Sequence, residues 1–168
     1  WTGSTGMAQV DAQIPFTADT KSLACSISKV FTATAIMRLV EQGRIDLDKS
    51  VNAYLPSLPI TPYPGTSVDQ ITIRRMMAHQ SGLPALIGQG AQQGDERPTD
   101  YPHSNRMLAT WPVSASQPPD TAFAYSNYAV SLLGLVVEAA SGMNFEDFVQ
   151  KEIFDPAAMA RTSMTMPT

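Results

Sequence analysis

The sequence predicts a mixed α/β (α+β) fold in which a short strand-bearing lead-in meets a predominantly helical region. Residues 1–25 are strand-like and turn-like, whereas helical patterns dominate from Ser26 onward, over residues 26–168. Residues 27–40 are apolar on nearly every side until Arg38, and a helix apolar most of the way round belongs in a core. With 168 residues, 43% of them apolar, the chain is a single unit able to bury about 70% of the surface its unfolded form exposes. No internal repeat or linker divides it.

The elements follow in order. Residues 1–8 read as a strand taken from within a sheet. A central helix starts at Ser26, and Gly43, just after Glu41 and Gln42, supplies a left-handed stop. Residues 47–56 suggest a short helix closed by Pro56, and Pro59, Pro62, Pro64 and Gly65 mark a stiff loop. Thr72 caps a helix running to about His79, which Gly82 ends. Residues 84–124 are a long stretch dense in Gly, Gln and Pro, interrupted by a short helix near 104–110; such a length inside a compact unit is usually functional or an insertion. Ser126 or Asn127 caps a helix carrying Val130, Leu132, Leu133, Val136 and Val137. Asn144 caps another bearing Phe145, Phe148 and Val149, with Asp147 favourable in its first turn.

Composition excludes several functions. A net charge of −4 with scattered basic residues, of which Arg74 and Arg75 are the densest pair, lacks the basic stripe that nucleic acid requires. No membrane span or signal segment is visible. The single cysteine, Cys25, has no internal partner and reads as a small packing residue. His79 and His103 are too far apart, and Cys25 too remote, for a zinc pattern, so no metal or organic cofactor is implied. Gly88 and Gly90 mimic the start of a dinucleotide loop but lack the third glycine and a preceding strand. The GxSxG motif of a hydrolase elbow is absent, and Ser4 and Ser81 do not fit it. His79 and Ser81 read as structural residues that bond nearby backbone.

Chemistry concentrates in Ser26, Lys29, Tyr125 and Asn127. Ser26 and Lys29 are three residues apart, so a helix places both on one face with Cβ atoms about 5–6 Å apart. A serine hydroxyl is a poor nucleophile until a neighbour takes its proton, and a lysine can do so only where burial or nearby positive charge keeps its amine neutral. The amino end of a helix, carrying roughly +0.5 charge, favours the Ser26 alkoxide. Tyr125 is a second proton carrier, and with an ordinary pKa near ~10 it needs a cationic neighbour, for which Lys29 is the obvious choice. Against this stands an ordinary helix start with a snorkelling lysine, and a plain N-terminal cap at Tyr125–Asn127.

Three ordered stretches decide between these readings. Ala24-Cys25-Ser26-Ile27-Ser28-Lys29 runs on to Gln42-Gly43-Arg44; Ile71-Thr72-Ile73 leads to His79-Gln80-Ser81-Gly82-Leu83-Pro84; and Phe123-Ala124-Tyr125-Ser126-Asn127-Tyr128 precedes Leu133-Gly134, Glu138 and Ser141-Gly142. Together they resemble the serine β-lactamase and penicillin-binding protein family, in its branch of class C β-lactamases, DD-carboxypeptidases and related esterases, whose signature set includes SxxK, a partner tripeptide and a later KTG. Tyr-x-Asn, in place of Ser-Asp-Asn, points to that branch.

The resemblance implies a β-lactamase/transpeptidase-like fold, an antiparallel sheet beside a helical region, with this chain mostly the helical part. It implies Ser26 as the acylated nucleophile, Lys29 and Tyr125 as proton carriers with the base open between them, and Asn127 bonding Lys29 or the substrate amide. The implied reaction is acyl transfer on a β-lactam, a D-alanyl peptide or a small ester, with Tyr101 and Trp111 as candidates for substrate contact and a periplasmic or secreted location. The family's Lys-Thr-Gly or His-Thr-Gly strand, which completes the oxyanion hole, has no match before Thr168. Losing one such donor costs on the order of 10² to 10³ in turnover. The chain therefore reads as the amino-terminal part of a larger enzyme, inactive alone, with a complementary carboxyl-terminal fragment as partner. Two other readings compete: a non-catalytic binder or sensor of the same fold, and a helical interaction module.

Overall fold

The computed structural model describes residues 3–85 and 112–164. The predicted helix near 104–110, the glycines at 88 and 90, His103, and the candidate contacts Tyr101 and Trp111 lie outside the described residues.

An antiparallel hairpin opens the structure: β1 (Met7–Gln9) pairs with β2 (Ile14–Pro15), Met7 opposite Pro15 and Gln9 opposite Ile14. Arg161 pairs with the Asp19 carboxylate and also donates to the Asp19 carbonyl at 2.8 Å, tying the lead-in to the far end of the described chain. A 3₁₀ turn (Cys25–Ile27) then runs directly into α1 (Ser28–Glu41). Gly43 takes φ 71°, the left-handed stop that its sequence position predicts.

Helix α1 buries Thr32, Ala35, Ile36 and Leu39, one stripe at helical spacing. That stripe packs on α3 (Asn127–Ser141), whose Leu132, Leu133, Val136 and Val137 are essentially inaccessible to solvent. Burying each such side chain contributes about 1.5–3 kcal/mol, so this interface is the centre of the core. Ser126 is the N-cap of α3, its hydroxyl accepting from the Ala129 N–H at 2.9 Å, and Gly142 closes the helix at φ 72°. The core continues through α2 (Ile73–Met77) and α4 (Phe145–Val149), which runs into a π-helical turn (Gln150–Phe154). Phe154 of that turn meets Phe31 of α1 edge to face, with centroids 5.0 Å apart.

The structure corrects several sequence expectations. Residues 47–56 form only a 3₁₀ turn (Val51–Ala53), capped by Ser50. The proline-marked stretch 59–65 is not all loop: β3 (Ile60–Thr61) pairs in parallel with β4 (Val113–Ser114), and Pro59 and Pro62 sit outside the pair, where a missing N–H costs nothing. Asn144 occupies the N-cap of α4 without capping it, because the Glu138 carboxylate from α3 accepts the Phe145 N–H at 3.0 Å. The central helix is not enclosed on all sides. Ile27, Val30 and Met37 stay exposed, since nothing among the described residues packs against their face. Cys25, expected to pack, is also exposed. Among the described residues no single helix is long and apolar enough to cross a membrane.

Candidate active site

Ser26 sits at the junction of lead-in and helix. Cys25, just before it, adopts φ 47°, a left-handed conformation that costs an L-residue about 1–2 kcal/mol and turns the chain sharply into the 3₁₀ turn. Lys29 follows one turn later, and its Nζ donates to the Ser26 Oγ at 3.1 Å. The spacing of three residues has the geometric consequence the sequence predicts. Ser26 is exposed and Lys29 half-buried, so the site is open along the uncovered face of α1.

Tyr125 arrives from far along the chain, its hydroxyl donating to the same Oγ at 2.8 Å. Lys29 Nζ also lies 4.9 Å from the centre of the Tyr125 ring, within cation–π range. Hydrogen bonding to the Lys29 amine, then to the Ser26 hydroxyl, holds the phenol below its ordinary pKa of 10.0, because such bonds favour the phenolate, and the Lys29 charge adds to it. Asn127, the first residue of α3, lines a cleft between α1 and α3 together with Lys29, Ser28, Thr32 and Ser131. Ser26, Lys29 and Tyr125 thus lie within hydrogen-bonding reach, and Asn127 borders the same cleft as Lys29.

The segment that delivers Tyr125 is laced to residues 79–85. The N–H groups of Ala124, Asp120 and Ser116 donate to the carbonyls of His79, Gln80 and Gly82 at 2.8, 2.9 and 2.9 Å. Ser126 Oγ donates to the Pro84 carbonyl at 2.6 Å, and the Asn127 N–H to that of Ala85 at 3.0 Å. Gly82 has no alternative residue here: at φ 77°, a Cβ would lie 2.2 Å from the Gln117 carbonyl oxygen. Ser81 is buried, its hydroxyl accepting weakly from the Leu83 N–H at 3.4 Å.

His79 contributes more than a backbone anchor. Its imidazole lies against Tyr125, with centroids 4.5 Å apart and planes at 37°, and its Nδ1 accepts the Ser126 N–H at 3.1 Å. Burial, with a smaller contribution from Lys29, lowers its pKa from 6.5. Sequence reasoning reaches its bonding to nearby backbone but misses its contact with Tyr125, which depends on a fold-level encounter. A histidine just beyond a helix end, in a stretch closed by glycine, is the one local signal.

Comparisons with known proteins identify relatives of the chain. A family model described as Beta-lactamase matches residues 1–168. Penicillin-binding protein 4* of Bacillus subtilis is 32% identical over 160 residues, covering 95% of this chain and 34% of its own length. The crystal structure of a penicillin-binding protein from Bacillus halodurans superposes with a TM-score of 0.78 at 28% identity, covering 99% of this chain and 50% of that one. A class C beta-lactamase structure superposes with a TM-score of 0.72 at 26% identity, over 97% of this chain and 42% of that one. The architecture is the β-lactamase/transpeptidase-like fold that these structures share, and the chain spans about a third of the length of the curated relative it matches.

Proposed function

This chain belongs to the beta-lactamase family, and from that premise we propose that Ser26 is the nucleophile of a serine hydrolase working through an acyl-serine intermediate. The observation that carries the reading is the pair of hydrogen bonds converging on one oxygen: Lys29 Nζ at 3.1 Å and Tyr125 OH at 2.8 Å from Ser26 Oγ. A serine needs a proton acceptor at that range and a means of keeping the acceptor ready near neutral pH. The depressed pKa of Tyr125 supports it as the acceptor, with Lys29 as its electrostatic partner.

In this mechanism Tyr125 loses its proton under the influence of Lys29, and the contact with Ser26 reverses, the serine now donating. As Ser26 Oγ attacks a carbonyl carbon, its proton passes to the phenolate. The carbonyl oxygen takes up the negative charge, which the Ser26 N–H at the amino end of α1 stabilises. Collapse of the tetrahedral species breaks the bond to the leaving nitrogen or oxygen, which receives the proton from Tyr125. Water enters by the same route in reverse and frees Ser26. Asn127 is placed to orient the substrate's amide beside Lys29. The substrates that suit this chemistry are a β-lactam, a D-alanyl peptide or a small ester, and the whole-length protein is the species that turns them over.

The test uses the full-length protein with a fluorescent penicillin and a fluorophosphonate. Covalent label is expected on Ser26 and none on the Ser26→Ala variant; equal labelling of both would remove the reading. Product release continuing beyond one equivalent marks a hydrolase, whereas a single equivalent with no further release marks a binder.

A further inference from the structure

We propose that His79 is a positioning residue for Tyr125, fixing the phenol over Ser26 by gripping the backbone on both sides of it and by stacking on its ring. The inference rests on the reading of Tyr125 as the proton acceptor of Ser26.

Four contacts made by His79 converge on four consecutive residues of the delivering segment. Its carbonyl accepts the Ala124 N–H at 2.8 Å, one residue before Tyr125. Its Nδ1 accepts the Ser126 N–H at 3.1 Å, one residue after. Between these two anchors the imidazole stacks against the Tyr125 ring at 4.5 Å, and its other neighbour, Phe123, meets it edge to face at 5.6 Å. A single residue, through its carbonyl and its ring, therefore fixes the height, tilt and backbone path of the phenol.

The backbone of His79 is set for this task. α2 ends at Met77, and His79 takes φ 56°, a left-handed conformation in which histidine, asparagine and aspartate are several-fold enriched among residues other than glycine. Nδ1 can accept only in the neutral imidazole with its proton on Nε2, and protonation would set a donor against the Ser126 N–H. Burial and the facing Lys29 both favour that neutral form. Displacing a catalytic group by about 1 Å costs on the order of 10²-fold in rate, so a residue that holds a 2.8 Å contact in register has a kinetic signature distinct from stability.

Two substitutions separate the contributions. His79→Gly tolerates the left-handed backbone and removes both acceptor and ring; His79→Asn tolerates the same backbone and retains an acceptor oxygen near the position of Nδ1. In the full-length protein, His79→Gly is expected to lower the rate constant for Ser26 acylation by about 10²-fold with little change in the concentration of half-saturation, and His79→Asn to recover about tenfold of that loss as the acceptor returns. Independently of acylation, the Tyr125 phenol, followed by NMR of ring-¹³C-labelled tyrosine and assigned with Tyr125→Phe, should titrate at higher pH in His79→Gly than in the wild type. An unchanged Tyr125 titration, or His79→Asn acylating no faster than His79→Gly, overturns the proposal. If the wild type fails to label at Ser26, the functional reading fails, and the Tyr125 titration still decides whether His79 positions the phenol.

Discussion

Tyr125 and Tyr128 lie three residues apart, yet they belong to different regions of the molecule. Tyr125 is 40% exposed, beside Lys29 and Ser26, and its pKa is lowered. Tyr128 is 2% exposed inside the helical core, and burial pushes its pKa up to about 12. One residue type is thus driven toward the anion in one place and held neutral in the other. The segment of α1 and its leading turn repeats the division: Ala35, Ile36 and Leu39 are fully buried against the core, whereas Ile27 and Val30, nearest Ser26, are exposed. The proposed catalytic groups lie at the edge of the α1–α3 pair, so chemistry and packing can be perturbed separately.

The sharpest way to break that comparison is to remove each phenolic oxygen in turn. Tyr125→Phe should slow Ser26 acylation by about 10² to 10⁴-fold, the usual worth of a positioned proton carrier, and leave the melting temperature unchanged. Tyr128→Phe should do the opposite, costing about 0.5–1.5 kcal/mol of stability for a buried hydroxyl while acylation proceeds at the wild-type rate. Comparable rate losses in both variants would show that the two regions are not separable. The same contrast is expected along the helices. Leu132→Ala should cost about 2–5 kcal/mol in urea unfolding through the cavity it leaves, against less than about 0.5 kcal/mol for Val30→Ala on the open face. A large cost at Val30 would mean that the face is covered in the full-length protein.

How far this division can be read from the amino-acid sequence depends on the range of each interaction. The Ser26–Lys29 contact is legible because three residues of helix fix it locally, and so are the Ser126 cap and the left-handed glycine at 43. The approach of Tyr125 is legible only through family resemblance, since no local rule brings residue 125 to residue 26. The pairing of Ile60 with Val113 escapes sequence reasoning for the same reason: the prolines signal a loop, and the partner strand lies far downstream. The openness of α1 is also hidden, because an apolar pattern reports what a helix can bury and not what its neighbours cover. His79 is legible only in part: its place at a helix end suggests bonding to nearby backbone, while its contacts with residues 123–126 depend on a long-range encounter.

The finest test of the contrast is titration. With its folded pKa depressed below 10.0, Tyr125 ionises before an ordinary tyrosine, so the acylation rate should climb as pH rises through that lowered value and level off above it. Its effect on stability has the same sign: the favourable contribution is fully present above pH 10 and is lost as pH falls through the folded value. Tyr128 has the opposite sign. Its folded value of about 12 exceeds the ordinary 10.0, so its contribution is intact below pH 10 and declines as pH rises from 10 toward 12. Ring-¹³C NMR, with Tyr125→Phe and Tyr128→Phe for assignment, should therefore show Tyr125 titrating before Tyr128, with the onset of alkaline unfolding following Tyr128 and the rate profile following Tyr125. Tyr125 titrating at or above pH 10 would mean that Lys29 does not favour its anion, and the base would then have to be sought in Lys29 itself.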